Sequence, residues 1–226
     1  MMVKKVLLFV TSSMIILVSY AQKAALHTST GVTYYNGTGA LVSAYNAAAT
    51  GDTLYLSGGG FTSPALIEKG LRIIGAGHYP DSTLATAKTI VTGDITLTGD
   101  ADRLYVEGIE LSGKLYTATN HEVDFVTIKY SRITDVVKLQ GNLTTPCKNW
   151  MFINCVLYTV DFQNAVTCGV YNNLLTYQVY GSGHLIENNI FLTNNTGIVF
   201  IYEDNNIFRN NIFTGSPVST NRYIEG

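Results

Sequence analysis

Three side chains at one recurring position offer the clearest surface chemistry in this chain: Tyr171, Glu187 and Arg209. Each stands one residue after an apolar position in a recurring phrase. Lys129 and Glu107 hold the same place in earlier copies. If each phrase is a strand, side-chain alternation turns these residues to solvent, with successive copies about 5 Å apart. A phenol beside a carboxylate and a guanidinium offers both a ring to stack on and groups that bind hydroxyls. Tyr171, Glu187, Arg209 and Lys129 are therefore the carbohydrate-binding candidates. The same column also reads as a plain solvated face crossed by two ion pairs, Glu187 with Arg209 and Glu107 with Lys129. Such pairs are worth a few tenths of a kcal/mol each. The plain reading takes precedence until a site is seen.

The elements that must position these residues are written in the repeat. It reads FINCVL at 152–157, VYNNLL at 170–175, IENNIF at 186–191 and FRNNIF at 208–213. The pattern is apolar, any residue, Asn, Asn or Cys, apolar, apolar. Extended backwards, its first apolar position aligns Val106, Ile128, Phe152, Val170, Ile186 and Phe208, in steps of 16 to 24 residues. A constant core position with uneven steps describes a solenoid whose turns differ in loop length. Each strand then pairs in parallel with its copy one turn on, and the apolar column becomes an interior spine. The first Asn column is Asn154, Asn172, Asn188 and Asn210. Asn tolerates the left-handed backbone that a sharp bend requires. The second column is Cys155, Asn173, Asn189 and Asn211, whose amides suit a hydrogen-bonded ladder along the stack. Sugar or metal binding by these Asn residues is the less economical alternative.

Upstream of the repeats, residues 38–50 form the one convincing helix. Thr38 is placed to cap it, Leu41, Val42, Tyr45 and Ala49 keep its apolar period, and Gly51 ends it. Residues 22–37 read as a polar linker. Beyond Gly51 come short β-rich runs punctuated by Gly, Asn, Asp and Ser, including 104–111 and 123–130. The expected organisation is residues 1–21 as a signal peptide, 22–37 as linker and 38–226 as one β-helix domain. The signal reading rests on Lys4 and Lys5, an apolar stretch from Val6 to Val18, and the small residues Ser19 and Ala21 before a cut ahead of Gln22. That stretch is shorter than the roughly 20 residues a membrane span needs. The expected location is outside the cytoplasm: secreted, periplasmic or on the cell surface, with no transmembrane segment in the mature chain. The polar tail after Thr214 is a thin end cap, and the sequence leans towards a C-terminally incomplete domain.

Charged residues make up only 13% of the chain. Without Lys4 and Lys5, 12 of the 14 basic residues remain against 16 acidic ones. That balance disfavours nucleic acid as a partner, and the Tyr, Thr and β-branched content favours an all-β protein. Three cysteines make an odd number for an exported chain. Cys147 and Cys168 are about one turn apart and either pair or stay as buried thiols, the second being the plainer expectation. The sequons at Asn36, Asn142 and Asn194 are expected by chance in an Asn- and Thr-rich chain.

Residues 38–77 combine a helix of small residues, then Gly51-Asp52-Thr53-Leu54-Tyr55-Leu56, a Gly-rich turn, and Leu71-Arg72-Ile73-Ile74-Gly75-Ala76-Gly77. This resembles the opening of the pectin-lyase-like right-handed parallel β-helix superfamily, and the likeness runs from about Thr38 to Phe213. It implies an all-β, right-handed parallel β-helix with an N-terminal capping α-helix. It does not imply one activity. A lyase of that superfamily would hold Ca²⁺ on clustered acids beside a Lys or Arg base, and calcium takes six to eight oxygens. Asp100, Asp102 and Asp124 are the metal candidates, with Lys148 one turn beyond. Glu203 with Asp204 is a weak acidic pair for a hydrolase, and His184 reads as a turn residue. The expected function is a secreted, non-catalytic module that binds polysaccharide or a cell-surface glycan, or serves structurally, and needs no cofactor. The alternative is a polysaccharide lyase or glycoside hydrolase acting on acidic polysaccharide, with Ca²⁺ entering only in the lyase case.

Overall fold

A computed structural model describes residues 22–79, 87–192, 198–202, 205–214, 216–218 and 224–225. The expected signal peptide, the Asn194 sequon and the Glu203–Asp204 pair lie outside the described residues. The described chain is an all-β solenoid of about six turns with strands stacked in parallel. One sheet of eleven strands and one of fourteen run along the coil. Among the described residues, no helix is long and apolar enough to cross a membrane.

The apolar spine stacks in the expected register. Val106 pairs with Ile128, Ile128 with Phe152, Phe152 with Val170, Val170 with Ile186, and Ile186 with Phe208. Leu54 and Ile73 continue the column towards the N-terminus. All eight side chains are buried, four of them completely, and each such burial contributes about 2 kcal/mol. Strands of the first sheet are mostly three residues long. The middle residue points in and both flanking residues point out, so the outer face carries two columns rather than one. The runs 104–111 and 123–130 are not single strands. The first divides into Tyr105–Glu107 and Glu110–Ser112 around a left-handed Gly108, and the second contributes only Thr127–Lys129.

The Asn doublet makes the bend that follows each of these strands. Asn154, Asn172, Asn188 and Asn210 all adopt positive φ, between 53° and 57°. The next position turns inward and forms the ladder. Asn189 Oδ1 accepts from the Asn173 backbone N–H at 2.8 Å and from its Nδ2 at 3.1 Å, while Asn189 Nδ2 donates to the Val170 carbonyl at 2.8 Å. Asn211 repeats these contacts on Asn189 and Ile186, and Asn173 repeats the backbone contact on Cys155. Every polar atom taken into the corner thereby finds a partner, which is the condition for burying it.

A second inward column stands two residues before the spine: Leu71, Leu104, Val126, Trp150, Cys168, His184 and Asn206, all buried. His184 is therefore a core residue rather than a turn residue. Its Nδ1 accepts from the Cys168 N–H at 3.3 Å, and its backbone N–H donates to Asn206 Oδ1 at 2.9 Å. The three cysteines are free and buried, so Cys147 and Cys168 do not pair. Cys147 stands opposite Ala165, and its thiol faces Thr117 and His121 rather than Cys168.

The helix is Ala40–Ala47, shorter than expected. Gly39 occupies its N-cap with no side-chain bond, and Ala48 ends it in extended conformation, so neither Thr38 nor Gly51 serves as a cap. Ala40, Leu41, Ala44 and Tyr45 form its buried face against the first strands. Residues 22–37, read as a linker, instead form an antiparallel hairpin of Lys23–Thr28 and Gly31–Asn36 that extends the first sheet beyond Thr53–Leu56. Burial of Ala24 and Leu26 explains the order.

The second sheet changes character along the coil. An early turn supplies two short strands, Glu110–Ser112 and Leu115–Thr117. Later turns supply one long strand each: Arg132–Gln140, Val156–Val166 and Leu174–Tyr180. Register shifts interrupt the long strands between Ile133 and Val136 and between Leu157 and Thr159. A bulge of this kind bends and twists its strand. Inside the coil a void of only about 20 Å³, lined almost wholly by aliphatic side chains, has room for little more than one water.

Candidate functional site

Along the second sheet, beside the bulges, runs a groove of about 620 Å³. One wall is an outward column with one residue per turn: Tyr116 pairs with Lys138, Lys138 with Asp161, and Asp161 with Tyr180. Lys138 Nζ lies 3.5 Å from Asp161 Oδ2. The floor is the bulged column of Val136, Thr159 and Gln178. Thr159 and Gln178 are nearly covered although they sit on the outward side, because the strand bends around them. Gln178 Oε1 accepts from the Tyr180 hydroxyl, whereas Thr159 Oγ1 has no partner. The facing wall carries Tyr158 and Tyr177, stacked at 5.2 Å between centroids and 6° between planes. Each covers one face of the other, so this pair offers hydroxyl-bearing edges rather than a flat platform. Gln140 adds an amide whose Nε2 donates to the Thr117 carbonyl at 2.9 Å. Phenols, amides and one ammonium–carboxylate pair suit a polyhydroxylated chain lying along the coil axis.

The column expected from sequence lies elsewhere, on the outer face of the first sheet. Lys129, Ile153, Tyr171, Glu187 and Arg209 are consecutive neighbours in register, as anticipated. Arg209 donates to Glu187 Oε2 at 3.2 Å, forming the expected ion pair. The ring of Tyr171 lies across Gly169, where a Cβ would fall within 2.2–2.5 Å of Cε2, Cζ and the hydroxyl. The other expected pair does not form. Glu107 accepts from the Tyr105 hydroxyl, and Lys129 Nζ stands 5.9 Å above the Tyr105 ring, with Arg72 at 4.7 Å. Tyr105 comes between them because it occupies the second outward column, which the repeat phrase does not mark. Burial, then the bond to Glu107, pushes the Tyr105 phenol up to about 12.

The acidic candidates form a column, not a cage. The Asp124 N–H donates to Asp102 Oδ1 at 2.7 Å, and the Lys148 N–H donates to Asp124 Oδ1 at 2.7 Å. Asp100 lies in the short 3₁₀ turn Gly99–Ala101. Lys148 Nζ contacts Glu122 Oε1 and lies 4.0 Å from Asp124 Oδ2. Partial burial raises the Asp124 pKa, and the bond to Glu122 raises that of Lys148. Asp102 and Asp124 are thus engaged by backbone amides of the next turn. Among the described residues, no group of three or more His, Cys, Asp or Glu is placed to hold a metal.

Sequence reasoning missed the groove because its residues fall outside the repeated phrase. Tyr116, Lys138 and Tyr180 stand eight residues after the bend positions Gly108, Tyr130 and Asn172, and Asp161 seven after Asn154, so the column follows the turns with one slip but lies beyond the phrase that marks them. One signal was available. Thr159-Val160 and Gln178-Val179 break the alternation of long β-rich runs at corresponding places. No family model, curated protein or solved structure matches this chain.

Proposed function

We propose that the chain is a secreted, right-handed parallel β-helix module of the pectin-lyase-like kind that binds polysaccharide in the second-sheet groove without catalysis. Crossovers between parallel strands of one sheet are nearly always right-handed, which supports the handedness. The helix Ala40–Ala47 rests on the first strands of both sheets, which supports a capping role. The observation that carries the functional reading is the groove itself, where Tyr116, Lys138, Asp161 and Tyr180 repeat once per turn opposite Tyr158 and Tyr177. Asp161 is the one carboxylate among its described lining residues. Glycoside hydrolysis by the usual route needs two, so the lining favours binding over chemistry.

Retention in native gels containing polygalacturonate or xylan tests this. The wild-type chain is expected to be slowed by at least one of them. Tyr116→Ala and Lys138→Ala are each expected to weaken that retention about tenfold, the cost of one to two lost polar or stacking contacts. Migration unaffected by either polymer defeats the binding reading. Release of unsaturated products from polygalacturonate with Ca²⁺ would replace it with the lyase alternative.

A further inference from the structure

A second opening lies at the bend between the two sheets, a cleft of about 470 Å³ lined by Gly75, His78, Tyr79, Glu107 and Tyr130 among others. Tyr130 is out of place there. Its position in the bend is Gly108 in the turn before and Asn154, Asn172, Asn188 and Asn210 in the turns after, all with positive φ. Tyr130 adopts the same left-handed backbone, with φ 45°, and the residue is 51% exposed. A bulky residue in that region costs on the order of 1 kcal/mol relative to Gly or Asn. With half of the residue in water, packing offsets little of this cost.

The residues around Tyr130 supply two hydrogen-bond acceptors beside the phenols. Its carbonyl lies 2.7 Å from His78 Nδ1, so Nδ1 carries the proton and Nε2 keeps its lone pair. His78 is only 7% exposed, and Nε2 has no partner. Burial lowers the His78 pKa and keeps the ring neutral. Glu107 is bonded by the Tyr105 hydroxyl and joins no ion pair among the described residues. Tyr79, 57% exposed, packs its ring 4.2 Å from that of His78. The cleft thus holds two exposed phenol rings and two acceptors. A cationic ligand is disfavoured because Arg72 and Lys129 already lie on the Tyr105 ring beside Glu107. An anion is disfavoured by Glu107 itself. What remains is an uncharged ring rich in hydroxyls.

We infer that this cleft is a second site, one that takes a single uncharged sugar ring against Tyr130 and Tyr79 and accepts its hydroxyl protons on Glu107 and His78 Nε2. Nε2 is buried, so contact with a ligand requires the exposed Tyr79 ring, packed 4.2 Å from the imidazole, to move aside. The inference shares with the proposed function only its ligand class, and it rests on different residues.

The test titrates the full chain with methyl glycosides of glucose, galactose, mannose and N-acetylglucosamine, read by saturation-transfer NMR and calorimetry. At least one is expected to bind with millimolar affinity, as one small ring in an open site should. Tyr130→Asn is expected to weaken binding at least tenfold while holding or raising Tm, because Asn suits the left-handed backbone. Tyr79→Ala, at an exposed position, is expected to weaken binding without unfolding the protein. Tyr116→Ala and Lys138→Ala are expected to leave glycoside binding unchanged. No binding to any of the four, or full binding by both Tyr130→Asn and Tyr79→Ala, overturns the inference. Loss of glycoside binding in the groove variants alone overturns it too, while leaving the carbohydrate reading of the groove intact.

Discussion

The two sheets of this solenoid obey the repeat to different degrees. In the first sheet, parallel strands of mostly three residues stack without a register shift, and each bend after Met151–Ile153, Gly169–Tyr171, Leu185–Glu187 and Ile207–Arg209 is made by Asn. In the second, strands lengthen, bulge and merge. The strict side spends its repeated residues on the spine and on satisfying buried amides. The irregular side leaves phenols, Lys138 and Asp161 facing a groove. Repetition here marks what holds the coil together, and departure from repetition marks where the surface opens. The Tyr130 bend shows the same within the first corner, because the one bulky side chain in an otherwise Gly and Asn column borders a cleft.

This contrast can be broken by substitution. Ile186→Asp should have the largest effect, about 5 kcal/mol, because it buries an unpaired charge between Val170 and Phe208. Near-normal thermal stability in that variant would mean the spine register is wrong. Asn189→Ala should follow at about 3 kcal/mol, since it strips the Asn173 N–H and the Val170 carbonyl of their partners. Its neighbour Asn188→Gly should stay within about 0.5 kcal/mol, because Gly adopts positive φ freely. Equal urea midpoints for the two variants would erase the distinction between ladder and bend.

Acid supplies a comparable test of the second inward column. Burial lowers the His184 pKa to about 4, against about 6.5 in the unfolded chain. The unfolded state binds the proton first, so stability is lost as pH falls from about 6.5 to about 4, by on the order of 3 kcal/mol. The His184→Asn variant should lose that part of the slope in urea titrations across this window. An unchanged slope would place the acid sensitivity elsewhere. Smallest of all, Arg209→Ala should shift stability by less than about 0.5 kcal/mol, as expected for an exposed pair with Glu187. A loss of more than 1 kcal/mol would show that the outer face of the first sheet is structurally critical after all.

Much of the first sheet was legible in the chain because strand alternation and the left-handed bend each demand particular residue types. Val106 to Phe208 could be aligned by one apolar position, and Asn at the bend announced both its backbone and its ladder. Tyr105 was not legible as a neighbour of Glu107 and Lys129, because the phrase tracks only one of the two outward columns. The order of residues 22–37 was hidden for another reason. A short polar-looking hairpin acquires its stability only by pairing with Thr53–Leu56. The absence of a bond between Cys147 and Cys168 likewise depended on where each thiol points, which spacing along the chain does not specify.

The sequence by itself determined the solenoid, its spine and its Asn corner, because these rest on local backbone preference and on one residue per turn meeting its own copy. Only the tertiary structure decided where the surface opens. The groove beside the bulges brings Tyr116, Lys138, Asp161 and Tyr180 opposite Tyr158 and Tyr177, and the corner cleft brings His78 to Tyr130 from 52 residues away. Such meetings depend on how whole turns stack and bend.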